Sequence, residues 1–207
     1  MVSLLDLGQN LRGRVSTYSI IKELHRAADQ GAVYLGTGGK CIVKCIRGHW
    51  RLENEVSILR KYQATSPLFR PLEDEIVNPA DPPSIILKYL DSDLRAESNR
   101  QRLSRSDIKK VAKSVLEALR ILHRDGMVHT VDIKLDNIFV NLGQPGNPER
   151  FTDIQLGDCG GVVSKHSKFA TEPGHLIGAS FTRSPESQQS RCLLRNKKVQ
   201  PLRQRKL

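Results

Sequence analysis

Asp132, Lys134 and Asn137 fall within one short run of the chain, and Asp158-Cys159-Gly160 follows about twenty positions later. Phosphoryl transfer needs groups of these types. A carboxylate must meet the substrate hydroxyl, a cation must offset charge developing on the transferred phosphate, and an amide oxygen with a second carboxylate must hold magnesium. Asp132, Lys134, Asn137 and Asp158 match those four requirements. The nearby His123-Arg124-Asp125 is a decoy, because positions two and five after Asp125 are Met127 and Thr130. The bland alternative, a polar turn of this composition arising by chance, is disfavoured by the strand-like Ile138-Phe139-Val140 that follows directly.

Two short strands, Ile138–Val140 and Ile154–Leu156, are predicted to carry these loops at their edges. Before them lies the strongest helical pattern of the chain. Ile108, Val111, Ala112, Val115, Leu116, Leu119 and Leu122 recur at helical spacing on one face. Ser104 with Asp107 offers a capping-box start and Gly126 a stop. The first half reads differently. Tyr18–Leu24, Ala32–Leu35 and Lys40–Ile46 form an antiparallel strand opening, and Leu52, Val56 and Leu59 predict a short amphipathic helix from Trp50 to Tyr62. Leu72–Val77 and Ser84–Tyr89 then flank the proline-rich turn Asn78–Pro83 as a hairpin. Asp91–Leu94 reads as a linker, and no internal repeat is visible.

Composition sets the outer limits. A chain of 207 residues with 38% hydrophobic content can bury a real core, as one domain or two small lobes. No apolar run is long enough to span a bilayer, and the N-terminus lacks the basic flank and apolar stretch of a signal peptide. A cytoplasmic or nuclear location is the expectation. The net charge of +11 invites a nucleic-acid reading, but residues 187–207 hold seven Lys or Arg and no acid, leaving +4 for the rest. Such a basic stretch is normally a solvated, disordered tail, so nucleic acid is not the expected partner of the main body. Cys41, Cys45, Cys159 and Cys192 form no CxxC pair and have no His at zinc-finger spacing, and they read as free thiols. Cys41 and Cys45 point to the same side of their strand, as packing residues.

A β-rich first half with one helix, followed by a helical half whose polar loops come after a long helix, resembles the two-lobed fold of the eukaryotic-type protein kinase domain. The resemblance runs from about Tyr18 to Glu186 and contains five motifs in the expected order. It implies an α+β fold with a complete β-rich N-lobe and an incomplete helical C-lobe. The divisions expected are a leader over 1–17, a nucleotide-binding N-lobe over 18–90, a partial C-lobe over 91–186 and the basic tail over 187–207.

The resemblance also implies roles. Asp132 corresponds to the base that orients the substrate hydroxyl, Lys134 to the cation that Ser/Thr-directed members place near the transferred phosphate, and Asn137 and Asp158 to magnesium ligands. Lys44 resembles the strand lysine that binds the α- and β-phosphates of ATP and pairs with a helix glutamate. Glu55 is the better partner, since it lies on the inward stripe with Leu52 and Leu59 while Glu53 is rotated away. Around the base, the resemblance implies contacts from Leu24, Gly31, Val33, Ile42, Tyr89 and Phe139, with Val33 covering the adenine and Phe139 forming its floor. Thr182–Glu186 resembles the segment that ends the activation loop.

Several positions depart from the family pattern. Thr130 and Val131 both stand between His129 and Asp132 where the family has one residue, and no Arg precedes Asp132, so phosphorylation of the activation loop should not be the main switch. Cys159 replaces the usual Phe, which weakens the apolar column joining this loop to the helix above it. Ile42 replaces a small Ala and narrows the base pocket. Arg26 and Ala28 stand where two of three phosphate-covering glycines are expected, leaving Gly31 as the third. Residues 187–207, basic and without clear periodicity, are not expected to form the helices that continue a complete kinase.

The resemblance therefore implies an ATP- and magnesium-dependent kinase, Ser/Thr-directed, acting on a protein substrate and not at a membrane. The rival is a pseudokinase or kinase fragment acting as a nucleotide- or protein-binding module. A third reading makes the basic tail a binder of nucleic acid or acidic surfaces.

Overall fold

The structure is a computed structural model and describes residues 4–26, 31–37, 40–129, 133–144 and 146–172. Six strands, β1 (Asn10–Gly13), β2 (Thr17–Arg26), β3 (Gly31–Gly36), β4 (Cys41–Ile46), β5 (Leu72–Asn78) and β6 (Ser84–Lys88), close into an antiparallel barrel in the order β1-β2-β3-β4-β6-β5. The predicted strands are present with ends shifted by a few residues. One addition is β1, which falls within the stretch read as a leader. It pairs with both β2 and β5 and so closes the barrel. Asp74, buried at 5% exposure, anchors that closure by accepting the backbone N–H groups of Arg14, Val15 and Ser16 and the hydroxyl of Tyr18.

Strand alternation sorts β4 between two cores. Cys41, Val43 and Cys45 face the barrel interior with Tyr34 and Ile86. Ile42 and Ile46 face the opposite way, into a cluster that includes Leu59, Phe69, Leu122, Leu156 and Cys159. The two cysteines thus share a side, as their spacing requires, and both are free thiols.

Helix α1 (Arg51–Tyr62) covers that outer face with Leu52, Glu55, Val56, Ile58, Leu59 and Tyr62 buried. Beyond β6, the segment read as a linker is partly ordered as a strand. β7 (Ser92–Asp93) pairs with β9 (Ile138–Leu142), and Asp93 accepts the N–H of Ala96 as the cap of α2 (Leu94–Arg100). Helix α3 (Arg105–Arg124) begins with the expected capping box, with Ser104 and Asp107 bonding reciprocally, and stops before Gly126, whose φ is +67°.

The buried stripe of α3 is narrower than the sequence pattern predicts. Val111, Val115, Ala118 and Leu122 are buried, while Ile108 and Leu116 are 54% and 65% exposed. The helix packs on β8 (Met127–His129) and β10 (Phe151–Leu156), which lie to one side of it. The flank that carries Ile108 and Leu116 is therefore left largely open among the described residues.

β9 and β10 form the hairpin expected to carry the two polar loops. β8 pairs with β11 (Val162–Ser164), and a short helix α4 (Lys168–Thr171) ends the described region. The halves of the molecule are joined by backbone as well as by core. Arg70 N–H donates to Leu156 O at 2.9 Å and Leu156 N–H to Leu68 O at 2.7 Å, which ties the entry to β5 onto β10. No helix among the described residues is long and apolar enough to cross a membrane.

Candidate active site

Lys44 projects from β4 on the face shared with Ile42, and Val33 stands directly opposite it on β3. Its Nζ donates to Glu55 Oε2 at 2.6 Å and to Asp158 Oδ1 at 2.8 Å. A strand, a helix and a loop 114 residues away in the chain thus meet at one ammonium. Burial alone would drive the Lys44 pKa down, but the two carboxylates outweigh it and leave the pKa raised, so the group stays charged. Glu55, at 1% exposure, is pushed up by burial against the pull of Lys44 and Arg70. Glu55 is the partner predicted from the inward stripe, and Glu53 is not.

Asp158 is the sole non-glycine residue among those described with positive φ, at φ +50° and ψ +57°. A side chain in this region costs about 1–2 kcal/mol, and here the surrounding contacts impose it. On one side, Gly157 N–H donates to Asn137 O at 2.9 Å. On the other, the Asn54 side-chain amide donates to Gly160 O at 2.9 Å and Val162 O at 2.8 Å, clamping the loop to α1. Gly160 has to lack a side chain, since a Cβ there would sit 2.8 Å from Arg51 O. Cys159 is fully buried in the core cluster that joins α1 to the second half, and burial raises its thiol pKa well beyond the ordinary value.

Asn137 ends a 3₁₀ turn over Leu135–Asn137, closed by its own N–H to Lys134 O at 3.0 Å, and is 7% exposed. With Asp158 it supplies an amide oxygen and a hard carboxylate. That pair suits Mg²⁺, which takes few protein ligands and completes its shell with water and phosphate. No self-sufficient cluster of three metal-binding side chains occurs among the described residues, so an ion at this pair would need those further ligands.

The base-contacting residues are placed unevenly. Phe139 follows Asn137 on β9, and its ring lies against Gly157, where an added Cβ would fall 2.4 Å from Cε2. Ile42, Val33 and Tyr89 border the same core cluster, and Lys40 lies 3.8 Å over the Tyr89 ring. Gly31 is buried and pairs with Ile46 at the far end of β3, whereas Leu24 is 48% exposed and joins neither cluster flanking β4. Arg26, standing at one glycine position, is engaged with Glu23 at 2.6 Å. Asp132, Thr130, Val131, Ala28 and Thr182–Glu186 lie outside the described residues, as do Cys192 and the 187–207 tail. Lys134 is half-buried beside the Asn137 turn.

The decoy carboxylate has a structural task instead. Asp125 accepts from Tyr62 Oη at 3.0 Å and pairs with Lys61 at 2.9 Å, joining the ends of α1 and α3.

Two residues of the site have no motif to announce them. Asn54 acts through the clamp above. Arg70, 6% exposed, donates Nε–H to Lys88 O at 2.8 Å and lays its guanidinium 4.1 Å over the Phe139 ring. Its one sequence signal is an arginine between the apolar pair Leu68-Phe69 and Pro71.

A family profile for the protein kinase domain matches residues 36–192, most of the chain. The chain belongs to the protein kinase domain family. Within it, the kinase domain described here is 36% identical over 85 residues to the serine/threonine-protein kinase US3 of Human herpesvirus 1 (strain 17), a stretch covering 41% of this chain and 16% of the viral protein. It is 28% identical over 75 residues to the human hormonally up-regulated neu tumor-associated kinase, covering 36% of this chain and 10% of that one. In structure it is similar to vaccinia related kinase 3, with a TM-score of 0.66 and 21% identity over 92% of this chain and 64% of the other, a likeness of fold. The matched segments span a small part of the curated relatives' lengths.

Proposed function

We propose that this kinase domain transfers the γ-phosphoryl group of ATP, as its magnesium complex, to serine or threonine hydroxyls of a protein substrate. The observation that carries the reading is the Lys44 ammonium held between Glu55 and Asp158 at 2.6 and 2.8 Å. That arrangement presents a fixed cation beside a carboxylate that can take a metal, which is what a bound triphosphate needs. Asn137 and Asp158 would hold the ion, which when bound neutralises charge on the phosphates. Asp132 would orient the attacking hydroxyl, and Lys134 would stabilise the transferred phosphate. The Lys at that position and the names of the relatives support the serine/threonine direction.

A second reading, a noncatalytic nucleotide-binding module, is favoured by one observation. Arg26 occupies a glycine position of the phosphate-covering turn and its side chain is bonded to Glu23, so the turn loses the conformational freedom that glycine would give it for closing over phosphates. Transfer of labelled phosphate from ATP to a generic basic protein separates the two. The kinase reading expects transfer that Asp132→Asn abolishes while a thermal shift with magnesium ATP persists. A shift that Lys44→Met removes, with no transfer by the unaltered chain, would establish the binding module.

A further inference from the structure

The Phe139 ring that would floor the base site is already stacked by a guanidinium. Arg70 enters from the start of β5, is 6% exposed, and sits 4.1 Å over that ring. Its Nε–H is given to Lys88 O, at the end of β6 where the chain leaves the barrel toward Tyr89. Part of its surroundings also belongs to the cleft. A Cβ at Gly157 would lie 3.7 Å from Arg70 Cδ, and the guanidinium feels two carboxylates, Glu55 of the site and Glu73 of β5. Neither Nη group has a hydrogen-bond partner among the described residues, and neither is sealed from solvent.

Arginine carries five donors and no acceptor. A purine edge that meets it is therefore sorted by its own pattern. A 6-oxopurine presents two adjacent acceptors, O6 and N7, which a guanidinium fork satisfies together. A 6-aminopurine presents N7 beside an amino group, so one donor faces another. Lys88 O already accepts Nε–H and keeps one lone pair, so it is the Arg70 fork, and not the loss of that carbonyl, that discriminates.

We infer that Arg70 reads the purine base in this cleft, so that GTP is taken at least as well as ATP. The inference rests on the nucleotide site proposed above and names a specificity-determining residue within it. The discrimination is a property of base binding.

Binding of the magnesium complexes of ATP, GTP and ITP to the full chain, by calorimetry, tests this. ITP shares the 6-oxo group of GTP and lacks its 2-amino group, which isolates the edge that Arg70 would read. GTP and ITP are expected to bind no more weakly than ATP. In Arg70→Leu and Arg70→Gln the preference should move toward ATP by about fivefold or more, the discrimination carried by one such bidentate contact. The inference is overturned if the unaltered chain binds ATP more tightly than both oxopurine nucleotides, or if neither variant changes the ratio. Binding of ATP by Arg70→Leu with no nucleotide bound by the unaltered chain also overturns it, since Arg70 would then fill the pocket, while the kinase site stands. If no protein binds any triphosphate, the nucleotide site itself falls, and the base reading with it.

Discussion

Gly157 N–H bonds to Asn137 O at 2.9 Å, and that contact ties together the two loops that would hold magnesium. Asn137 follows Lys134 by three residues and Gly157 precedes Asp158 directly, so the bond sets the spacing between the amide and carboxylate ligands. The Phe139 ring fills the space where a Gly157 side chain would stand. Gly157→Ala should therefore weaken the site before it weakens the fold. Overpacking of this kind costs about 1–3 kcal/mol, read as a lower melting temperature, and the stabilisation by magnesium nucleotide should fall by more than that by nucleotide alone.

Lys44→Met leaves Glu55 buried with its nearest cation gone. Loss of one partner from a buried pair costs about 3 kcal/mol, measurable by denaturant unfolding at neutral pH. The variant should also acquire a pH dependence of definite sign. Burial already raises the folded pKa of Glu55, and removing Lys44 raises it further. The folded state then binds a proton that the unfolded carboxylate, with a pKa of about 4.3, does not hold. Stability of Lys44→Met should rise as pH falls from 8 toward 5 and drop again as pH rises through the folded pKa. A flat profile across that window would show that Glu55 finds another partner.

Asn54 gives both side-chain amide hydrogens to the loop after Asp158. Asn54→Ala should cost about 1–3 kcal/mol, because two carbonyls lose their donor. Hydrogen exchange should show the larger change at Gly160 to Val162, with α1 remaining protected. Exchange that is unchanged at that loop would remove Asn54 from the clamp.

The three described thiols should be inert in the native protein. Burial raises Cys41 and Cys45 to about 11, and Cys159 further. The thiolate is the reactive form, so a Cys192→Ser variant at pH 8 should take up no maleimide until denatured. Intact-mass measurement before and after denaturant reads this directly.

Ile108 and Leu116 offer a surface test. Both are more than half exposed on α3, and exposed substitutions away from special contacts usually change stability by about 0.5 kcal/mol or less. Ile108→Glu with Leu116→Lys should leave the melting temperature nearly unchanged and raise the concentration at which the protein aggregates.

Much of the site was legible because its chemistry is local. Lys134 and Asn137 are three residues apart, and no distant contact is needed to see their spacing. Glu55 could be chosen over Glu53 because a helix places residues on faces by count alone. The capping box at Ser104 and the alternation of Cys41 and Cys45 follow from the same short-range rules. The α3 stripe was only half legible, since periodicity shows which residues could be buried and not which flank a neighbour covers.

By itself, then, the sequence determined the kinase family resemblance, the main strands and helices from Thr17 to Leu156, and the pairing of Lys44 with Glu55, because each is written in spacings of a few residues. Tertiary structure alone decided that Asn10–Gly13 closes the barrel, that Asn54 holds the loop after Asp158, and that Arg70 lies on Phe139. Those contacts join residues tens of positions apart. Short-range periodicity cannot choose among such partners, and only packing brings them within bonding distance.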